Sequence, residues 1–156
     1  MPIPSLLSSK GSPEMHRSIE IALVIVVTAA ACSDFLTRRI PNWITLSGVA
    51  LGLAGHIFYD GVRGAVVSVS GIGLGATIFI VLYLAGGMGA GDVKLFGAVG
   101  ALLGPQPLIL AFVCTGLLGG IAAVALSARH RRLDSLRMPY GVIIASGTLM
   151  SLVALH

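Results

Sequence analysis

The chain has 156 residues, of which 56% are hydrophobic and 10% charged, with 21 glycines and a mean hydropathy of +0.98. A soluble domain carries about 25% charged residues, and a chain of this length has too little interior to hide so much apolar surface. A water-soluble enzyme and a disordered protein are both excluded, and the length leaves room for about six membrane spans of roughly 20 residues. The net charge of +4 then reads as positive charge on cytoplasmic loops, not as nucleic-acid binding.

Residues 1–17 are polar, with Pro2, Pro4, Gly11 and Pro13, and are expected to form a loose N-terminal tail; residues 18–156 are expected to form one membrane domain. The expected class is all-α, with six transmembrane helices over 18–35, 43–59, 64–85, 93–103, 107–128 and 139–155. The first run contains Ala30-Ala31-Cys32, similar to a lipoprotein cleavage site, but five further apolar runs make a span the simpler reading. The fourth run reaches only about 17 Å of a roughly 30 Å hydrocarbon core, so it must be extended by its neighbours or begin below the membrane surface. The joins after spans one, three and five carry Arg38, Arg39, Lys94, Arg129, Arg131, Arg132 and Arg137, against Lys10, Arg17 and Arg63 on the opposite side. That asymmetry places the first group in the cytoplasm and both termini outside it.

Small residues recur at four-residue spacing in Gly48/Gly52, Gly71/Gly75, Gly100/Gly104 and Gly116/Gly120, a pattern that lets helix backbones approach closely. The two cysteines, Cys32 and Cys114, lie in apolar runs outside any Cys-x-x-Cys pair and are expected to be buried small hydrophobes.

Six acidic residues carry most of the functional information. Glu14, Glu20, Asp60 and Asp134 fall in the tail, at a span end or in loops, where solvation accounts for them. Asp34 closes the first span and Asp92 opens the fourth, both on the cytoplasmic side. An acid within a span costs roughly 2.5–3.5 kcal/mol on insertion, so it calls for a function or a partner. Each has a local alternative: Asp34 could pair with Arg38 four residues on, and Asp92 could cap the helix that starts at Val93. As a pair at one depth they are the equipment of an aspartic protease. One ionised carboxylate takes a proton from water, and the other, protonated, donates to the scissile carbonyl. His56, in the second span, reads as a packed or hydrogen-bonded residue, and His16, His130 and His156 as solvated ones.

The run Gly86-Gly87-Met88-Gly89-Ala90-Gly91 before Asp92 has no bulky side chain apart from Met88 and would let an extended substrate pass close to the carboxylate. In Arg38-Arg39-Ile40-Pro41-Asn42, Pro41 forces Ile40 to be extended and Asn42 is placed to cap the second span. Lys94 points away from Asp92 on a helix and reads as an anchor at the head groups.

These residues resemble the signatures of the type IV prepilin peptidases. Asp34-Phe35-Leu36-Thr37-Arg38-Arg39-Ile40-Pro41-Asn42 is similar to the first, in which an Asp precedes a basic residue and Ile-Pro-Asn; Gly89-Ala90-Gly91-Asp92-Val93-Lys94 is similar to the second, Gly-x-Gly-Asp-x-Lys; Met138-Pro139-Tyr140-Gly141 is similar to the third, Pro-Tyr-Gly. They occur in the family's order, over about residues 18–155. The resemblance implies an intramembrane aspartic endopeptidase of the Gly-x-Gly-Asp type in the inner membrane, cutting the basic leader from prepilins or pseudopilins at the cytoplasmic face. It implies Asp34 and Asp92 as the catalytic pair, Gly89 and Gly91 as shapers of the substrate path, and Pro139, Tyr140 and Gly141 beside the site. Larger bifunctional members also carry an N-terminal cytoplasmic domain with cysteine pairs and methylate the new N-terminus. No Cys-x-x-Cys is found here, so the chain is more similar to the compact peptidases of Flp-type (tight adherence) pili and archaeal preflagellins.

The expected partners are leader peptides, the lipid bilayer and the pilus assembly machinery; no nucleic acid, metal or cofactor is expected. Two competing readings use the same acids: a small proton- or cation-coupled transporter, which would spread its acids across membrane depth, and a non-catalytic pilus assembly subunit, which would tolerate loss of either aspartate.

Overall fold

The computed structural model describes residues 13–85, 88–129 and 140–155. They form five helices: α1 (Pro13–Thr37), α2 (Asn42–Leu84), α3 (Ala90–Leu103), α4 (Pro105–Arg129) and α5 (Tyr140–Leu155). The all-α expectation holds, with α1 taking in residues 13–17 of the expected tail.

Five helices stand where six were expected because the second and third apolar runs are joined in α2. A straight helix of its 43 residues would be about 65 Å long, twice the depth of a bilayer core. Gly61 breaks it, with φ 58° and ψ −132°, a conformation open to glycine and strained for other residues. A Cβ on Gly64 would overlap the His56 carbonyl, so the chain turns tightly here. The contacts with α3 give the direction of each arm. In the first arm (42–60) Gly48 faces Ala98 and Gly52 faces Ala101; in the second arm (62–84) Gly71 faces Gly100 and Gly75 faces Phe96. The first arm therefore runs parallel to α3 and the second antiparallel, which makes α2 a helical hairpin.

Between the arms lies α3, and its residues from Leu95 to Leu102 are all buried. A helix that is apolar all round belongs inside a protein, and that explains how a helix of only 14 residues, about 21 Å, can serve here. Close approach comes from glycine: a Cβ at Gly71 would overlap the Gly100 backbone, and one at Gly52 would overlap Ala101. Farther along, Phe79 and Phe96 stack at 4.0 Å, and Phe112 of α4 meets both edge-on at 6.3 and 6.2 Å. This aromatic cluster ties α2, α3 and α4 together.

The last turn of a helix leaves carbonyls without a partner. Ser68 Oγ donates to the Ala101 carbonyl at 3.0 Å, and His56 Nε2 bonds the Leu102 carbonyl at 3.0 Å. His56 is thus the hydrogen-bonded residue the sequence suggested. Gly104, at φ 75°, ends α3 by returning its N–H to the Gly100 carbonyl, and Pro105 then begins α4.

The exterior is apolar, with Ile21, Ile25, Val62, Val66, Leu117 and Ile121 all exposed. Three helical segments, Arg17–Thr37, Asn42–Leu84 and Pro105–Ala122, are long and apolar enough to cross a membrane by length and composition. An apolar outside around a glycine-packed inside is the pattern of a membrane protein. Two sequence expectations fail on this surface. Cys32 is exposed, while Cys114 is buried as expected. Among the described residues, Gly116 and Gly120 have no atom within 4 Å of an added Cβ, so there this stripe, alone of the four, meets no neighbouring helix.

Candidate active site

Asp34 lies one turn from the end of α1. That helix stops because Arg38 takes a left-handed conformation, φ 52°, while its N–H still returns to the Asp34 carbonyl at 2.8 Å. Thr37 Oγ1 donates to the Ser33 carbonyl at 2.8 Å and the Arg39 carbonyl at 3.1 Å, and Ser33 Oγ donates to the Arg39 carbonyl at 3.0 Å. These bonds fold the 38–40 segment back against the last turn of α1. Pro41 is extended and forms the entry to α2. The turn therefore fixes Asp34 at a helix end without its carboxylate taking part.

That carboxylate is free to point inward and is 8% exposed. Its Oδ2 accepts the N–H of Gly141 at 2.8 Å. Gly141 is in the first turn of α5, where N–H groups have no partner within the helix and the helix dipole favours a negative charge.

Asp92 stands in the first turn of α3 and is 7% exposed. It was expected to precede a helix beginning at Val93, but α3 starts three residues earlier, at Ala90, and Asp92 is its third residue. Asp92 Oδ2 accepts the Gly89 N–H at 3.0 Å, and the Asp92 N–H returns to the Gly89 carbonyl at 3.1 Å. This is the reciprocal bonding of a capping box, with a backbone carbonyl in place of the usual hydroxyl. Capping is thus part of what Asp92 does. Of the glycine-rich run, Gly89 is extended, Gly91 is helical and sits 3.5 Å in Cβ terms from Ile40, and Gly86 and Gly87 lie outside the described residues.

The two acids come from helices joined by no short loop, yet they stand at the same end of the fold, where Ile40, just after α1, lies 3.5 Å from a Cβ built on Gly91 at the start of α3. Each carboxylate receives one backbone N–H and sits at a helix N-terminus, α5 for Asp34 and α3 for Asp92. Two carboxylates brought together in a buried site can share one proton. Among the described residues, no three His, Cys, Asp or Glu side chains gather as a metal-binding group.

The remaining sequence-derived site residues divide. Gly89 and Gly141 touch the acids directly, through the bonds above. Tyr140 opens α5 beside Gly141 and is half-buried, and Pro139 lies outside the described residues. Asn42 does not cap α2: its neighbour Pro41 holds the cap position with no side-chain bond, and Asn42 Oδ1 instead accepts Lys94 Nζ at 3.0 Å. The direct bond from Gly141 to Asp34 was not foreseen. Its one signal in the sequence is a glycine just after Pro139-Tyr140, where a bare N–H is available.

The model of the type IV leader peptidase family matches residues 21–124. The chain is 29% identical over 137 residues to a prepilin leader peptidase/N-methyltransferase of Bacillus subtilis (strain 168), covering 84% of this chain and 52% of that protein. It is 30% identical over 151 residues to a protein of the same name from Pseudomonas putida, covering 90% and 52%. A third of that name, from Neisseria gonorrhoeae, is 32% identical over 105 residues, covering 64% and 37%. The chain thus spans about half the length, or less, of the curated relatives it matches. No solved structure matches it. On the family match over two thirds of its length, the chain belongs to the type IV leader peptidase family.

Proposed function

We propose that the chain is an intramembrane aspartic endopeptidase that removes the leader from type IV prepilins or pseudopilins at the cytoplasmic face of the inner membrane. The observation that carries this reading is the pair of buried carboxylates of Asp34 and Asp92 at one end of the fold, each held by a backbone N–H at a helix N-terminus. The relatives' name, prepilin leader peptidase, supports the substrate class.

In the proposed reaction the ionised carboxylate takes a proton from a water molecule, whose oxygen attacks the scissile carbonyl. The protonated partner donates to the carbonyl oxygen, and the tetrahedral species then breaks its C–N bond as a proton passes to the leaving amine. Hydrolysis needs a substrate backbone that is extended at the cut. Gly89, itself extended at φ −87° and ψ 154°, bonds Asp92 through its N–H, and with Gly91, Pro139, Tyr140 and Gly141 is proposed to border that path.

Six spans with both termini outside the cytoplasm complete the reading. The reversal at Gly61 supports it, since the hairpin supplies two membrane-crossing arms and puts its first arm parallel to α3. Arg38, Arg39 and Lys94 share the end that holds the acids, and Arg63 lies beside the turn at the other end. Acids gathered at one end also argue against a relay spread through the membrane.

The test is co-expression with a candidate prepilin, with leader removal followed by gel shift. Asp34→Asn and Asp92→Asn are each expected to slow cleavage by roughly 10²–10⁴-fold. Cleavage at the normal rate by either variant would sink the two-carboxylate mechanism.

A further inference from the structure

On the side of α3 away from the acids, a crevice of about 400 Å³ lies between the two arms of α2 near Asn42. Its walls are Leu46 and Val49 from the first arm and Ile72 and Ala76 from the second, and its floor is Val93 and Gly97 of α3. Lys94 closes one end together with Asn42. Lys94 follows Asp92 by two residues, about 200° around the helix, so a substrate at the acid pair would not occupy this space.

The polar end is unusual. An ammonium group has three donors, and Lys94 gives one to the uncharged Asn42 amide at 3.0 Å. Among the described residues no carboxylate pairs with it. A positive charge thus stands at the head of an apolar slot, at the end of the fold that also holds Arg38 and Arg39. The slot is of the size that takes small ligands. The complement of that arrangement is a molecule with an anionic head and a hydrocarbon tail.

We propose that this crevice binds one anionic phospholipid, with its phosphate on Lys94 and Asn42 and an acyl chain between the arms of α2. The inference rests on the membrane reading above but not on the peptidase activity. Seated there, the lipid would wedge the open end of the hairpin and brace the helix turn that carries Asp92 on its other side.

The test uses the full chain, purified in zwitterionic micelles and examined by native mass spectrometry with added phosphatidylglycerol or phosphatidylcholine. One phosphatidylglycerol should bind per chain, favoured over phosphatidylcholine by about fivefold, the effect of a single basic contact at a membrane surface. Lys94→Gln should abolish the preference and Lys94→Arg should keep it. Gly97→Leu should lower binding of both lipids, because an added Cβ there meets only the Ile72 carbonyl at 4.0 Å and the longer side chain would fill the floor of the slot. Equal binding of the two lipids by wild type, or an unchanged preference in Lys94→Gln, overturns the proposal. Should Lys94→Gln lose helix content by circular dichroism, the wild-type preference alone decides. A chain recovered outside carbonate-washed membranes would overturn the membrane reading and this proposal together, whereas a membrane-bound chain without lipid preference overturns only this one.

Discussion

The Gly141 N–H donates to Asp34 Oδ2 at 2.8 Å, joining residues 107 positions apart. A Cβ added at Gly141 would stand 2.8 Å from Asp34 Cβ and 2.9 Å from Oδ2. Real side chains do not tolerate such approaches, so any other residue at this position must push the carboxylate away. The chain can place a bare helix N-terminus against Asp34 because glycine leaves that space open. Gly141→Ala should therefore displace the carboxylate while leaving the helices in place. Displacements of about 1 Å cost near 10²-fold in rate, and the expected loss in kcat for leader cleavage is of that order, with KM little changed. Steady-state kinetics on a prepilin leader peptide check this, and a normal kcat would remove Gly141 from its positioning role.

Glycine contacts of a different kind hold α3 between the arms of α2. A Cβ at Gly71 would overlap the Gly100 carbonyl, and the neighbour that must move is backbone. Gly71→Val should destabilise the fold by about 3 kcal/mol or more, at or beyond the upper end for overpacking. Gly73, two residues on, has nothing within 4 Å of an added Cβ and sits in the same helix. Gly73→Ala should be neutral or stabilising by about 0.5–1 kcal/mol. Unfolding in mixed micelles measures both, and the sign difference between neighbouring positions is the discriminating result.

Asp34 and Asp92 were legible in the sequence because ionisable groups are costly in an apolar chain, so each one present asks for a reason. The helices were legible as apolar runs, and the turn between the second and third runs falls at Gly61 as the spacing suggested. What the sequence hid was which surface meets which. Gly116/Gly120 and Gly71/Gly75 have the same spacing, but among the described residues only the latter pair meets another helix. Asn42 could cap its own helix or reach across to α3, and local sequence contains nothing about Lys94 being within 3.0 Å. The start of α3 was misplaced because a glycine-rich run has low helix propensity. The reciprocal bonding between Gly89 and Asp92 outweighs that propensity.

A mechanism built on two carboxylates has a simple consequence for chelators. Leader cleavage by the purified chain should proceed at an unchanged rate in EDTA, and added zinc or magnesium should not raise it. A loss restored by a divalent ion would assign the acids to metal binding and overturn the water-activation role given to them.

The polar contacts at the far end of α3 should matter for stability and not for chemistry. Ser68 Oγ and His56 Nε2 each supply a partner to a carbonyl of the last turn, Ala101 and Leu102, at 3.0 Å. With one partner removed, a buried carbonyl is left unsatisfied, which costs about 1–3 kcal/mol in a protein interior. Interhelical hydrogen bonds in membranes average nearer 0.6 kcal/mol. The second figure governs if the hairpin turn at Gly61 loosens enough for the carbonyls to find other donors. The first governs if the tight packing of Gly64 on the His56 carbonyl keeps them fixed. That packing favours the larger value, so Ser68→Ala and His56→Leu should each destabilise by about 1–2 kcal/mol. The two acceptors are consecutive residues of one turn, so the double variant should cost less than the sum of the singles. Leader cleavage at temperatures where the variants stay folded should match wild type, because neither side chain approaches the acids at the opposite end of α3.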